Sequence, residues 1–170
     1  MMLASETRNT LHRERIPSLS VEAKLKAMGI DIQPAALGQG KIEPAVRAGN
    51  LVFTSGQVSA RGGETYIGKV GQDLTVEQGY AAARLCALNC LAAVKAVVGD
   101  LDKVVRVVKL LGMVNAGPDF TDTPGVIHGC TDFINDLFGP AGRHARSAVG
   151  LYQLPANYAV EIEMIVEVRE

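Results

Sequence analysis

The segment DKVVRVVKLLGMV, residues 102–114, constrains the fold more than any other part of the chain. Its β-branched residues disfavour an exposed helix, and its apolar residues occupy both alternating sets of positions. A strand with this pattern is covered on both faces of its sheet. We therefore predict an interior strand of a sheet in which both faces are covered.

A long helix is predicted before this strand. It starts at Thr75, where Thr75 and Gln78 match a capping box, and it ends at Gly99. One side of the helix carries small residues, which allow a helix axis to lie close to a sheet. These residues are Gly79, Ala82, Cys86, Cys90, Ala93 and Val97.

A second long helix is predicted after the strand. It is expected to be capped by Thr123, with Pro124 at its first position and Gly139-Pro140 after its end. A shorter amphipathic helix is predicted at residues 21–30. Residues 1–18 are polar, and we expect them to be frayed.

The remaining strands complete the predicted sheet. Residues 45–58 indicate a short strand, a turn and a longer strand, and residues 145–151 and 158–168 are interpreted as a hairpin. The order β-β-(β)-α-β-α-β-β predicts an α+β fold with two helices on one face of a mixed sheet. Because the strands are apolar at both parities, we expect another subunit to cover the second face.

Charge and composition argue against several classes of protein. The net charge of -1, from 17 basic and 18 acidic residues, gives no field for capturing a nucleic acid. No apolar run approaches the ~20 residues of a membrane span, and no secretory signal is evident, so a cytoplasmic protein without membrane contact is expected. The three cysteines lack a C-x-x-C pair, and we expect no metal and no cofactor.

Two charged residues stand out in the last two strands. Arg146 lies among small apolar residues, and its planar guanidinium could anchor the carboxylate of a small organic acid. The alternative is a structural arginine that forms an ion pair with Glu161 or Glu163, or that extends its charge into solvent. Glu161 is either a base or water-orienting group at a low-dielectric interface, or one acidic position in an alternating strand. Strand register decides whether Glu161 shares a face with Arg146, and the sequence does not fix that register.

Other polar and sulfur-bearing residues favour structural roles. Cys86 and Cys90 lie four residues apart in a row of small residues without a His or an acid, which favours core filling over a metal site. His144 and Ser147 lack the surroundings of a nucleophile and base, and residues three apart in a strand face opposite sides. His128 is expected to be a solvated residue on the polar side of the second long helix.

Several segments in order, LVFTSGQV, IGKVGQD, VVRVVKLLGMVN, ARSAVG and VEIE, resemble the reactive intermediate deaminase family, also called YjgF-like or endoribonuclease L-PSP. The resemblance covers roughly residues 42–168, in the order of the family. We therefore divide the chain into an amino-terminal extension with a short helix, residues 1–41, and a YjgF-like domain, residues 42–170.

The resemblance implies a chorismate-mutase-like fold, a homotrimer, and ligand clefts between subunits. It implies that Arg146 binds the carboxylate of a 2-imino acid. It also implies that Glu161 positions the water that attacks the imine carbon, which releases ammonia and a 2-keto acid. This chemistry is physically sensible, because fixing the carboxylate and orienting one water removes much of the entropic barrier.

The resemblance also places other residues in the cleft. Ser147, Ala148 and Gly56 belong to its most specific segments, and either Thr131 or His128 occupies a helix position that is often Asn. Ala148 stands where relatives have a Cys, and no Tyr is evident before the first strand. These departures predict a pocket of different shape and a substrate other than the simplest 2-imino acid.

Three functions are consistent with these features. The first is a deaminase that hydrolyses reactive enamine or imine intermediates. The second is a non-catalytic module that binds a small carboxylate or 2-keto acid, and replacement of Glu161 separates the two because only turnover depends on it. The third is an endoribonuclease, which the older family name implies and which no basic stripe or aromatic stacking set supports.

Overall fold

The computed structural model describes residues 19–170, and the segment predicted to be frayed lies outside the described residues. Three α-helices and eight strands form in this range. The helices are α1 Val21–Ala27, α2 Val76–Val98 and α3 Thr123–Phe138; the strands are β1 Ala45–Ala48, β2 Leu51–Thr54, β3 Gln57–Val58, β4 Ala60–Arg61, β5 Glu64–Thr65, β6 Val104–Asn115, β7 Ala145–Leu151 and β8 Val160–Val168.

The main sheet has the order β1-β2-β8-β6-β7, with β3 also paired to β8. β6 and β7 run parallel, whereas the other pairs of this sheet are antiparallel. α2 packs on β8 and on α3, and α3 packs on β6 and β7. The predicted α+β fold with a mixed sheet is therefore confirmed, and β6 is the interior strand that its apolar pattern predicts.

The predicted hairpin between the last two strands is wrong. β7 pairs in parallel with β6 and lies at the edge of the sheet, while β8 lies between β2 and β6. The crossover through α3 returns the chain in the same direction as β6, which is the normal use of a helix between parallel strands. β8 alternates buried apolar residues with half-exposed or exposed ones, and its interior position in the sheet allows the apolar residues to be covered.

α2 is the central helix of the core. The capping box of Thr75 and Gln78 is present, as predicted, and the side of small residues is buried except at Val97, which is partly exposed. α2 and α3 lie so close that a Cβ on Gly129 would come within 1.9 Å of the Tyr80 carbonyl oxygen. By length and hydropathy α2 could cross a membrane, but 67% of its most apolar window is buried inside the fold, which is typical of a core helix.

The amino-terminal cap of α3 differs from the prediction. Asp122, not Thr123, is the cap, and its carboxylate accepts a hydrogen bond from the Gly125 amide at 3.0 Å. Thr123 is the first helical residue, and its buried hydroxyl donates to the Ala148 carbonyl at 3.1 Å. The threonine therefore ties α3 to β7, because its side chain faces the sheet and not the helix end.

The two faces of the sheet differ in cover. Leu110 and Val114 of β6 are fully buried under the helices, on what we call the helix face. Leu111 and Met113 alternate with them and remain partly exposed on the opposite, open face. Phe53 at 36% exposure and Val149 at 40% extend the apolar surface of this face. The open face thus carries apolar side chains that no helix of the described residues covers.

Candidate functional site

Arg146 lines a cavity of about 300 Å³ between α3 and β7. Three side chains of α3 with the spacing i, i+3 and i+7 form one wall, because residues at this spacing share a helix face. The end of the α3–β7 connection and the start of β7 form the other wall. The lining residues of this Arg146 cavity are His128, Thr131, Asn135, Arg143, His144 and Arg146.

A chain of hydrogen bonds fixes the guanidinium. Arg146 Nη1 donates to Thr131 Oγ1 at 3.0 Å, and Thr131 Oγ1 lies 3.3 Å from His144 Nε2. His144 Nδ1 lies 2.5 Å from the Gly142 carbonyl, so Nδ1 carries the proton and Nε2 accepts from the threonine. Burial lowers the pKa of His144, the Gly142 carbonyl opposes that shift, and Arg146 lowers the pKa further, so His144 is neutral near pH 7.

Arg146 has no carboxylate partner among residues 19–170. The ion pair found in this part of the chain joins Lys95 to Glu22 at 2.9 Å. The structural ion pairs with Glu161 or Glu163 that the sequence leaves open do not form. A half-buried guanidinium with one bound hydroxyl retains several N–H donors, which suit a carboxylate from a ligand.

Glu161 lies against the backbone of Gly56. β3 pairs with β8 so that Val58 faces Glu161, and a Cβ on Gly56 would lie 1.8 Å from Glu161 Oε1. Only glycine leaves room for the carboxylate there. Burial raises the pKa of Glu161, and the neighbouring Glu163 carboxylate raises it further. A carboxylate of this kind is suited to accept a proton from water.

Strand register places Arg146 and Glu161 on opposite faces of one sheet. Arg146 is level with Leu110 of β6, and Glu161 is level with Met113. Leu110 belongs to the helix face and Met113 to the open face, because they are three positions apart and successive side chains of a strand point to opposite faces. Two strand spacings of ~4.8 Å and three residues of ~3.4 Å put the two Cα atoms roughly 14 Å apart. One chain therefore forms two half-sites and does not join them.

The other predicted binding residues divide between these half-sites. His128 and Thr131 line the Arg146 cavity, and His128 is exposed, as expected. Gly56 accompanies Glu161. Ser147 is level with Leu111 on the open face and accepts a hydrogen bond from Lys109 at 2.9 Å. Ala148 is level with Gly112 on the helix face.

Three cavity residues were not assigned a binding role from the sequence: Asn135, Arg143 and His144. Asn135 could have been predicted from its spacing, because it lies one helical turn after Thr131 and two turns after His128 and so shares their helix face. Arg143 and His144 precede β7 in a turn, and the sequence did not indicate which way that turn faces.

The three cysteines are buried in the core, as the sequence predicts for Cys86 and Cys90. Burial raises the pKa of Cys90 to about 12 and raises those of Cys86 and Cys130 as well, so all three thiols are protonated. Within residues 19–170, no group of three or more His, Cys, Asp or Glu side chains is placed to hold a metal ion.

Comparison with known proteins gives consistent matches. Residues 22–168 match the family model described as "YjgF/chorismate mutase-like, putative endoribonuclease". Protein TCP17 of Trypanosoma cruzi is 42% identical over an alignment of 154 residues, and the match covers 89% of this chain and 96% of TCP17. The crystal structure of Atu1372 from Agrobacterium tumefaciens, of unknown function, has 42% identity and a TM-score of 0.80 over 88% of this chain and 92% of that one. Escherichia coli TdcF with bound serine has 25% identity and a TM-score of 0.53 over 82% and 94%.

Proposed function

Because the chain belongs to the YjgF/chorismate mutase-like family, we propose that it hydrolyses reactive 2-imino acids, or the enamines in equilibrium with them, to 2-keto acids and ammonia. The observation that carries this proposal is the Arg146 guanidinium, which is fixed by Thr131 and has no carboxylate partner in the described chain. The serine bound to the relative TdcF is itself an acid with a carboxylate and a nitrogen on the adjacent carbon, which supports a ligand of this class.

The proposed reaction divides between the two half-sites. Arg146 binds the carboxylate of the imino acid through a charge-assisted hydrogen bond and so fixes the imine carbon. Glu161 accepts a proton from a water molecule as the water oxygen bonds to that carbon. The imine is protonated when the water adds, so the product of this step is a neutral carbinolamine. Glu161 then gives its proton to the carbinolamine nitrogen, and the carbon–nitrogen bond breaks as the hydroxyl oxygen forms the carbonyl double bond. The hydroxyl proton passes to the Glu161 carboxylate and leaves with the ammonia as ammonium, and the 2-keto acid is the other product. The reaction consumes water and needs no cofactor.

Joining the half-sites needs a second copy of the chain, and we propose the homotrimer that the family resemblance implies. The Arg146 cavity lies at the edge strand β7, where a neighbour can reach it. Glu161 lies on the apolar open face, which is the surface that a neighbour would bury. A ring of three copies can place the Arg146 edge of each copy against the Glu161 face of the next.

Mixing two inactive variants tests this composite site. Arg146→Ala and Glu161→Gln subunits, co-expressed with different tags, are each expected to be inactive alone. A mixed ring of three copies has wild-type sites at roughly a third of its interfaces, because a site takes each residue from a different copy. Imine hydrolysis by the doubly purified mixture is the measurement. Mixed assemblies without activity would show that both residues act within one copy.

The pH profile of turnover is expected to respond to Glu163. Glu161 acts as a carboxylate, so activity is lost as the pH falls through its pKa, which is raised above the ordinary value of 4.5. Glu163→Gln removes the repulsion of one carboxylate but leaves the effect of burial. The acid limb of kcat against pH is therefore expected to move to lower pH. Glu167→Gln on the same strand is the matched control, and an equal shift in both variants would contradict this assignment.

A competition assay tests the proposed function directly. Imino acids are generated in place with an amino-acid oxidase, and semicarbazide traps them as semicarbazones. The wild-type protein is expected to lower the initial rate of trapping, and Glu161→Gln at equal concentration is not. A panel of imino acids with no effect of the wild-type protein would favour the non-catalytic carboxylate-binding module.

A further inference from the structure

The Arg146 cavity carries more positive charge than a single carboxylate requires. Arg143 and Arg146 both line it, and no Asp or Glu is among the lining residues. The backbone of Arg143 is hydrogen-bonded to Pro140 and Arg106, but within residues 19–170 its guanidinium has no hydrogen-bond partner. Arg143 is exposed and Arg146 is half-buried, so both charges are available to an anion that enters the cavity.

Asn135 is a further polar residue in the lining of the cavity. Its Oδ1 atom is buried and lacks a hydrogen-bond partner among the described residues. Buried polar atoms in folded proteins usually have at least one hydrogen-bond partner. A half-turn of the amide exchanges its oxygen and its NH₂ group, so Asn135 can donate to an anionic ligand at the same place.

We propose that this cavity selects a dicarboxylate, that is, a 2-imino acid whose side chain carries a second carboxylate. Arg146 holds the carboxylate next to the imine carbon, and Arg143 with the Asn135 amide holds the carboxylate of the side chain. The cavity of about 300 Å³ admits an acid of four or five carbons. The identity of the reacting group rests on the proposed function, whereas the selection of two carboxylates is a property of binding alone.

Calorimetric titration with unreactive 2-oxo acids tests this selection. The matched pair is 2-oxoglutarate and 2-oxohexanoate, in which an ethyl group replaces the second carboxylate at similar size. The wild-type protein is expected to bind 2-oxoglutarate roughly tenfold more tightly, because one charge-assisted hydrogen bond is added. Equal affinity for the two acids would overturn the proposal.

Arg143→Ala is expected to remove most of this preference and to leave the affinity for 2-oxohexanoate within about twofold. Arg47→Ala, an exposed arginine on β1 with the same change of charge, is the control and is expected to keep the full preference. A preference that survives in Arg143→Ala, or that falls equally in both variants, would contradict the role of Arg143. Inorganic phosphate is titrated in parallel, and binding as tight as that of 2-oxoglutarate would identify a phosphate site instead.

The outcome is separable from that of the proposed function. Tight binding of 2-oxoglutarate without hydrolysis of any imino acid would retain the dicarboxylate site and reject the deaminase. Hydrolysis of imino acids with no preference for a second carboxylate would do the reverse.

Discussion

Replacing Glu161 with glutamine is expected to lower kcat for imine hydrolysis by roughly 10²- to 10⁴-fold, the usual contribution of a general base. The side chain keeps its size against Gly56 but can no longer take a proton from water. The affinity for a 2-oxo acid is expected to stay within about twofold, because Arg146 supplies the charge that holds the carboxylate. Initial rates from the trapping assay and calorimetric titration measure the two quantities.

Glu167→Gln is the matched control for this variant, since it makes the same substitution farther along β8. It is expected to keep wild-type kcat. Full activity of Glu161→Gln would show that Glu161 has no role in the reaction. A loss of 2-oxo acid binding as large as the loss of kcat would show instead that the glutamate shapes the binding cleft.

Replacing Arg146 with alanine is expected to weaken 2-oxo acid binding by roughly 10- to 150-fold, which corresponds to the loss of a hydrogen bond to a charged group. Arg146→Lys is expected to recover only part of this affinity, because an ammonium group lacks the planar fork that matches a carboxylate. Calorimetric titration with 2-oxohexanoate isolates this effect from that of Arg143.

Circular dichroism and thermal unfolding control for damage to the cavity, since Arg146 also donates to Thr131. Both variants are expected to remain folded, because the guanidinium is only half-buried and forms no ion pair within residues 19–170. Undiminished affinity in folded Arg146→Ala would place the carboxylate site elsewhere on the protein.

Much of the fold could be predicted from local patterns. The capping box at Thr75 and the doubly apolar pattern of β6 each follow from short-range chemistry. The hairpin prediction failed because two strands adjacent in sequence need not be adjacent in a sheet. β7 and β8 are joined by a short connection, yet β7 pairs with the strand before α3. Which strands become neighbours in a sheet depends on tertiary packing, and the local sequence carries little information about that packing.

The candidate site was predictable in its residue types but not in its arrangement. Arg146 and Glu161 stand out because charged residues in apolar strands need partners or a function. Their separation onto opposite faces depends on the parallel register of β7 and the antiparallel register of β8 with one common strand, β6. If β7 and β8 had paired with each other as a hairpin, the relative positions of Arg146 and Glu161 would have been different. The division into two half-sites could therefore only be recognised in the structure.

Because the two half-sites lie on opposite faces of the sheet, the activity of the protein is expected to depend on its concentration. The Arg146 cavity forms within each single chain, from α3 and β7, whereas in the proposed trimer the Glu161 carboxylate reaches it from a neighbouring copy. Dilution that dissociates the ring is therefore expected to stop turnover before it stops capture. At low cellular levels the same polypeptide would act as a carrier of an organic acid, and at high levels as an enzyme.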